Sequence, residues 1–149
     1  MRISITLILL LFLSACQPAS IKEASEDKLI FVDPHIRAAF AQATTGAAYI
    51  TIHNQTALEQ TLTHITANTE LADSIELHDM LMEDDMMIMQ AITTGIAIPA
   101  HASLALQAGG QHIMLMGLNT PLTPGKTFTL TLHFANGEEY HVSFPVIKL

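Results

Sequence analysis

His78-Asp79-Met80-Leu81-Met82-Glu83-Asp84-Asp85-Met86-Met87-Ile88-Met89-Gln90-Ala91 is the stretch from which the fold is read. Two methionine-rich runs flank three consecutive acids. Glu83-Asp84-Asp85 predicts a turn, and Met86 to Ala91 predicts a strand returning beside His78 to Met82. The strand that feeds this hairpin starts at Asp73. Its alternation puts Ile75 and Leu77 on one face and Ser74, Glu76 and His78 on the other.

The flanking sequence repeats this theme of short strands and turn chemistry. Leu29 to Val32 is a β-type run expected to stop at Asp33-Pro34, and His35 to Thr45 reads as a loop. Ala47 to His53 is a strand ended by Asn54-Gln55-Thr56. Gln60 to Ala67 is another, with a parity slip between Leu62 and Ile65 that predicts a bulge. Downstream, Ile96-Ala97-Ile98 meets Pro99, a linker leads into Ser103 to Leu106, and Gly109-Gly110 turns the chain into His112 to Met116. Asn119 to Gly125 is rich in turn formers. Thr127 to Phe134 alternates, Asn136-Gly137 signals a hairpin, and Tyr140 to Val146 closes the sheet. No long helical period appears. The expected class is all-β, an antiparallel Greek-key sandwich or barrel, with no domain boundary inside 29–149.

The N-terminus has a different character. Arg2 precedes an apolar run from Ile3 to Leu13 that is too short to span a bilayer as a helix. Leu13-Ser14-Ala15-Cys16 resembles the lipobox of bacterial lipoproteins, which implies that residues 1–15 are a signal peptide and that Cys16 is lipidated. Residues 16–28 are polar and alanine-rich and read as a flexible tether. Gln17, rather than Asp, follows the cysteine, so a periplasmic or cell-envelope location is expected, on the outer membrane in a diderm. Membrane attachment would rest on the lipid alone.

Composition narrows the function. The formal net charge is −8, and loss of Arg2 leaves five basic against fourteen acidic residues. Such a chain is repelled by nucleic acid, which is excluded as a partner. Cys16 is the only cysteine, so an acylated protein has no thiol. That excludes disulfides, thiolate zinc sites, thiol nucleophiles and the thiolate-bearing blue-copper centre. No Ser-His-Asp arrangement or glycine-rich phosphate loop is suggested, so the chain does not read as an enzyme.

What remains is the methionines. Of eight, one is the initiator, five fall between Met80 and Met89, and two are Met114 and Met116; each group is led by a histidine. Thioether and imidazole together suit a soft ion, above all Cu(I). Strand parity puts His78 with Met80, and His112 with Met114 and Met116. A fold that laid His112 beside the hairpin would gather two imidazoles and two thioethers from three strands or strand ends. Ten residues separate His78 from Met89, twenty-two separate Met89 from His112, and one separates His112 from Met114.

This His-x10-Met, His-x-Met pattern resembles the signature of the PCuAC-type periplasmic copper(I) chaperones. Ile75-Glu76-Leu77-His78, Met82-Glu83-Asp84, Ile98-Pro99-Ala100 and His112-Ile113-Met114-Leu115-Met116-Gly117-Leu118 match the family as well. The resemblance runs from about Phe31 to Val146. It implies a cupredoxin-like β-barrel and one Cu(I) held by His78, Met89, His112 and Met114. It also implies delivery of copper towards the CuA centre in cytochrome oxidase subunit II, often together with a Sco-type thiol protein. Some members carry a His- and Met-rich C-terminal tail with a second copper site; this sequence ends Ile147-Lys148-Leu149, and a single site is expected.

Rival readings accompany it. Met80 and Met116 share the histidine face and are expected near the metal, whereas Met82, Met86 and Met87 read as packing. Glu83-Asp84-Asp85 reads as a solvated turn, since adjacent carboxylates do not converge on a hard ion. His53, His64, His101, His133 and His141 read as single surface residues, and His35 stays unassigned. In function, the alternatives are an envelope copper buffer without a dedicated acceptor, and a structural or adhesive β-sandwich lipoprotein whose methionines are core.

Overall fold

Ten strands account for most of the chain in a computed structural model that describes residues 28–38 and 43–148. They are β1 (Leu29–Ala38), β2 (Thr45–Asn54), β3 (Gln60–Ala67), β4 (Ala72–Glu83), β5 (Met86–Ala91), β6 (Ile96–Ile98), β7 (Ser103–Leu106), β8 (His112–Leu118), β9 (Thr127–Phe134) and β10 (Glu139–Ile147). The signal segment 1–15, Cys16 and the tether as far as residue 27 lie outside the described residues.

The strands form one continuous sheet in the order β5-β4-β8-β2-β1-β10-β9-β3-β6. β7 lies on β2 as well, because β2 pairs with β8 through Thr45–Ala48 and with β7 through Ile50–His53. The two strands thus lie end to end along one edge of β2. Between them Gln107–Gln111 loops out, closed by a 2.7 Å bond from the Gln107 amide to the Gln111 carbonyl. That excursion sets where β8 begins, and it begins with His112.

Alternation along each strand sends one set of side chains inward. β2 buries every second residue: Gly46, Ala48, Ile50, Ile52 and Asn54. Ile50, Ile113 and Leu115 from one part of the sheet meet Leu62, Leu130, Leu132 and Phe144 from the other in a single core. Full burial of one such Leu, Ile or Phe side chain contributes about 1.5–3 kcal/mol. Asn54 is the most buried polar residue among those described, 1 % exposed. Its amide donates to the carbonyls of Ile98 (2.9 Å), Pro99 (3.0 Å) and Leu58 (2.8 Å), and its Oδ1 accepts from the Thr56 amide and hydroxyl. It ends β2, as Asn54-Gln55-Thr56 predicts, and also ties that end to the β6–β7 corner.

The all-β expectation holds, with two corrections. The sheet is mixed rather than purely antiparallel, because β1 runs parallel to β10 through Ile36↔Val146 and Arg37↔Ile147. Asp33-Pro34 does not stop β1. Asp33 takes φ 52° and Pro34 has no amide to donate, so the register against β2 shifts between Val32 and His35 and the strand resumes through Ala38. His35–Ala38 is therefore strand, not loop. The bulge expected in β3 is present: its register against β9 shifts between Leu62 and His64.

Candidate metal centre

β5, β4 and β8 are consecutive in the sheet, so their pairing decides which side chains share a surface. Asp84 and Asp85 have φ of 49° and 62°, and this two-residue turn closes the β4–β5 hairpin at the Glu83↔Met86 pair. Positive φ at both positions matches the right-handed twist of the strands, and Asp tolerates it better than most residues. The acidic run is thus a turn. From it the register fixes Met82↔Met87, Leu81↔Ile88, Met80↔Met89 and His78↔Ala91. On the other side of β4 it fixes His78↔His112, Glu76↔Met114 and Ser74↔Met116.

Side chains directly opposite one another in an antiparallel pair lie on the same face. His78 and His112 form the central row, with Met80 and Met89 in the row towards the hairpin tip and Glu76 and Met114 in the row away from it. All four residues carried by the sequence signature therefore lie on one face of three adjacent strands. Ile75, Leu77, Ile113 and Leu115 take the opposite face, with Leu77, Ile113 and Leu115 fully in the core. Met80 is closer to the histidine pair than Met116. Met116 stands four residues along β8 from His112, about 13 Å at strand rise, opposite Ser74.

The two imidazoles are 6.1 Å apart between ring centroids and tilted by 53°. His112 is 5 % exposed, and its Nδ1 lies 2.8 Å from the Gly110 carbonyl. A carbonyl only accepts, so Nδ1 donates and the lone pair of the neutral ring sits on Nε2. His78 has the opposite arrangement. Its Nε2 donates to Glu76 Oε2 at 2.9 Å, which leaves the lone pair on Nδ1, and that atom is buried with no hydrogen-bond partner. A buried polar atom without a partner costs about 1–3 kcal/mol. The bond from His78, with a smaller one from Ser74, holds the Glu76 carboxyl below its ordinary range despite slight burial.

Sequence reasoning did not assign Glu76 or the Gly110 carbonyl to the site. The signal for Glu76 was there, since Glu76 and His78 are two apart on one strand. The Gly110 contact depends on the loop geometry before β8 and had no sequence mark. Two other expectations need correction. Met82, Met86 and Met87 are not packing: they are 67 %, 66 % and 57 % exposed, on the part of the β4–β5 hairpin beyond the last β4–β8 pair, His78↔His112. Met89 is 49 % exposed on the edge strand. His64 and His133 are not isolated, as the β3–β9 register stacks their rings at 4.2 Å and 4°. His35 acquires a setting, with Nδ1 2.9 Å from the Asp33 carbonyl and its ring 5.3 Å from that of Tyr49.

Among the described residues no three His, Cys, Asp or Glu side chains converge. What the arrangement offers instead is two oriented nitrogens beside thioethers, the donor set of a soft monovalent ion rather than of Ca2+ or Mg2+.

Comparison with known proteins places this geometry in a family. Residues 29–146 match the family described as "Putative lipoprotein LpqE-like". A Leifsonia xyli subsp. xyli (strain CTCB07) protein named "Putative lipoprotein Lxx21020" is 39% identical over 82 residues, 55% of this chain. The match spans about half (49%) of that relative's length. Among solved structures, CuI-DR1885 from Deinococcus radiodurans superposes with a TM-score of 0.62 at 30% identity, covering 79% of this chain and 76% of that one. The copper-bound PCuAC domain from PmoF2 gives 0.65 at 18% identity, covering 82% and 94%. The fold is the cupredoxin-like β-fold of PCuAC domains. The chain belongs to the LpqE-like family, of PCuAC type.

Proposed function

We propose that the protein is a lipid-anchored carrier of Cu(I) in the cell envelope, holding one ion on His78, Met89, His112 and Met114. The observation that carries this reading is the buried, unpartnered Nδ1 of His78 directly across from His112 on a face lined by thioethers. An orphaned nitrogen of this kind is explained by a ligand that takes its lone pair. A metal about 2 Å from one nitrogen of each ring lies about 3 Å from each centroid, so the 6.1 Å spacing suits one shared ion. The partners Glu76 and Gly110 fix the tautomers from behind, as outer-sphere groups do at imidazole metal sites. Copper-bound structures of CuI-DR1885 and of the PmoF2 domain support the same cargo.

The ligands differ in how easily they let go. His112 is buried and anchored, whereas Met89 lies half-exposed on an edge strand. Met89 is the ligand an incoming acceptor displaces first, through an intermediate in which donor and acceptor share the ion. Neutral imidazole and thioether bind Cu(I) less strongly than thiolate, so transfer runs downhill to a thiol acceptor such as a Sco-type protein or the CuA site of oxidase subunit II. This is carriage, not catalysis. The exposure of four hairpin methionines counts against the structural-lipoprotein alternative, which places the methionine clusters in the core. Lipidation at Cys16 accords with the lipoprotein names of its relatives.

Mass spectrometry with Cu(I) under reducing conditions tests the centre. Wild type is expected to take up one tightly held equivalent and a His112→Ala, Met114→Ala variant none; equal uptake by both removes the site. Deleting the gene separates delivery from buffering. Oxidase activity lost and rescued by added copper marks delivery, and copper sensitivity with normal oxidase marks buffering.

A further inference from the structure

The face that carries the histidine pair continues past it to the hairpin tip. Met80↔Met89 is the next row outward and Met82↔Met87 the last, directly inside the turn-closing Glu83↔Met86 pair. Every row on this stretch of the face is a pair of thioethers. Rows are two residues, about 7 Å, apart along a strand. Cross-strand partners and their diagonal neighbours lie within reach of long side chains, and methionine has three rotatable bonds and a polarisable sulfur. Met82 and Met87 are 67 % and 57 % exposed, so filling core volume does not explain them. The turn beside them carries Glu83, Asp84 and Asp85, whose field concentrates cations at that end.

We propose that Met82 and Met87, together with Met80 and Met89, form a second and weaker Cu(I) station at the hairpin tip, through which the ion enters and leaves the histidine centre. The inference rests on the Cu(I)-carrier reading given above. The station uses neutral sulfur donors alone, so it holds the ion more loosely than the two imidazoles do. It exchanges whole Cu(I) ions with no change of oxidation state. Met89 belongs to both, being diagonal to His78 and directly opposite Met80, and so is the shared ligand between them. An ion at the tip is reached by an acceptor's thiolates without opening the buried side of the centre around His112.

The test titrates the full domain with Cu(I) under reducing conditions while following methyl resonances of 13C-methyl-labelled methionine, alongside a Met82→Leu, Met87→Leu variant. Leucine keeps the apolar surface and volume but removes the sulfur, so a purely hydrophobic docking role is unaffected by it. The expected result is a first equivalent that moves Met114 and Met89, then a weaker second that moves Met82 and Met87. The variant keeps the first, loses the second, and passes copper to a dithiol peptide several-fold more slowly. Methyls of Met82 and Met87 that stay still through two equivalents, or a variant that transfers copper as fast as wild type, overturns the station while leaving the centre intact. Failure of the first equivalent to bind removes the centre itself, and the station with it.

Discussion

At the scale of single residues, the positions that decide the centre are those that orient the imidazoles. Glu76 accepts a hydrogen bond from His78 Nε2–H and thereby presents Nδ1. Glu76→Ala should lower Cu(I) affinity by about 10–100-fold, measured against a competing Cu(I) chelator. Glu76→Gln, whose amide oxygen accepts the same bond, should keep most of it. The carboxyl also leaves a signature in the copper-free protein. Its folded-state pKa lies below the ordinary 4.5, so its pairing stabilises the fold above that value and is lost as pH falls through the folded value. In Glu76→Gln the fall in melting temperature as pH drops below about 4.5 should be shallower. Copper affinity has its own pH dependence. Imidazole binds a metal only in its neutral form and thioethers do not titrate, so affinity should fall on acidification without vanishing. A flat profile between about pH 8 and about pH 5 means that the histidines are not ligands.

Among the elements, the β4–β5 hairpin is the one that the pattern of its own residues specifies and that the rest of the fold supports least. Among the described residues β5 pairs only with β4, and five of its six residues are exposed. Its geometry depends on Asp84 and Asp85 at positive φ. A left-handed backbone costs most non-glycine residues about 1–2 kcal/mol, and Asn-Gly is the preferred pair for such a turn. Asp84→Asn with Asp85→Gly should therefore slow amide exchange across β5 while leaving the first copper equivalent bound. Faster exchange would show that the acids stabilise the turn through contacts beyond its backbone. β8 contrasts with it: flanked by β4 and β2, and begun by the Gln107–Gln111 excursion, it holds His112 in a fixed place. The proposed centre thus joins a strand paired on both sides to a strand at the sheet edge.

For the whole molecule, the question is what keeps the two parts of the sheet in register so that β4 meets β8. The apolar core does most of this, and Asn54 adds a polar fastening between the end of β2 and the β6–β7 corner. Asn54→Leu leaves the Ile98 and Pro99 carbonyls without that donor and puts bulk where a hydrogen-bonded amide fits. The expected loss is about 2–3 kcal/mol, read as a lower urea midpoint with an unchanged slope. An unchanged midpoint would mean that water or backbone motion replaces the clamp. The parallel β1–β10 pair adds a second fastening, joining the end of β1 to the end of β10 through Ile36↔Val146 and Arg37↔Ile147.

The sequence by itself determined the strands, the turns between most of them, the hairpin and its acidic tip. Period-two alternation is local, and each run reports which residues share a face. The grouping of His78 with Met80, and of His112 with Met114, followed from that alone. Only the tertiary structure decided that the two groups meet. His78 and His112 are paired across strands that are not consecutive in the chain, and nothing in either strand encodes its partner. The same holds for the parallel β1–β10 pair and for the stacking of His64 on His133. It holds for the exposed methionines too: whether an apolar residue is core or surface depends on what packs across the sheet from it, and among the described residues Met82, Met86 and Met87 are left exposed.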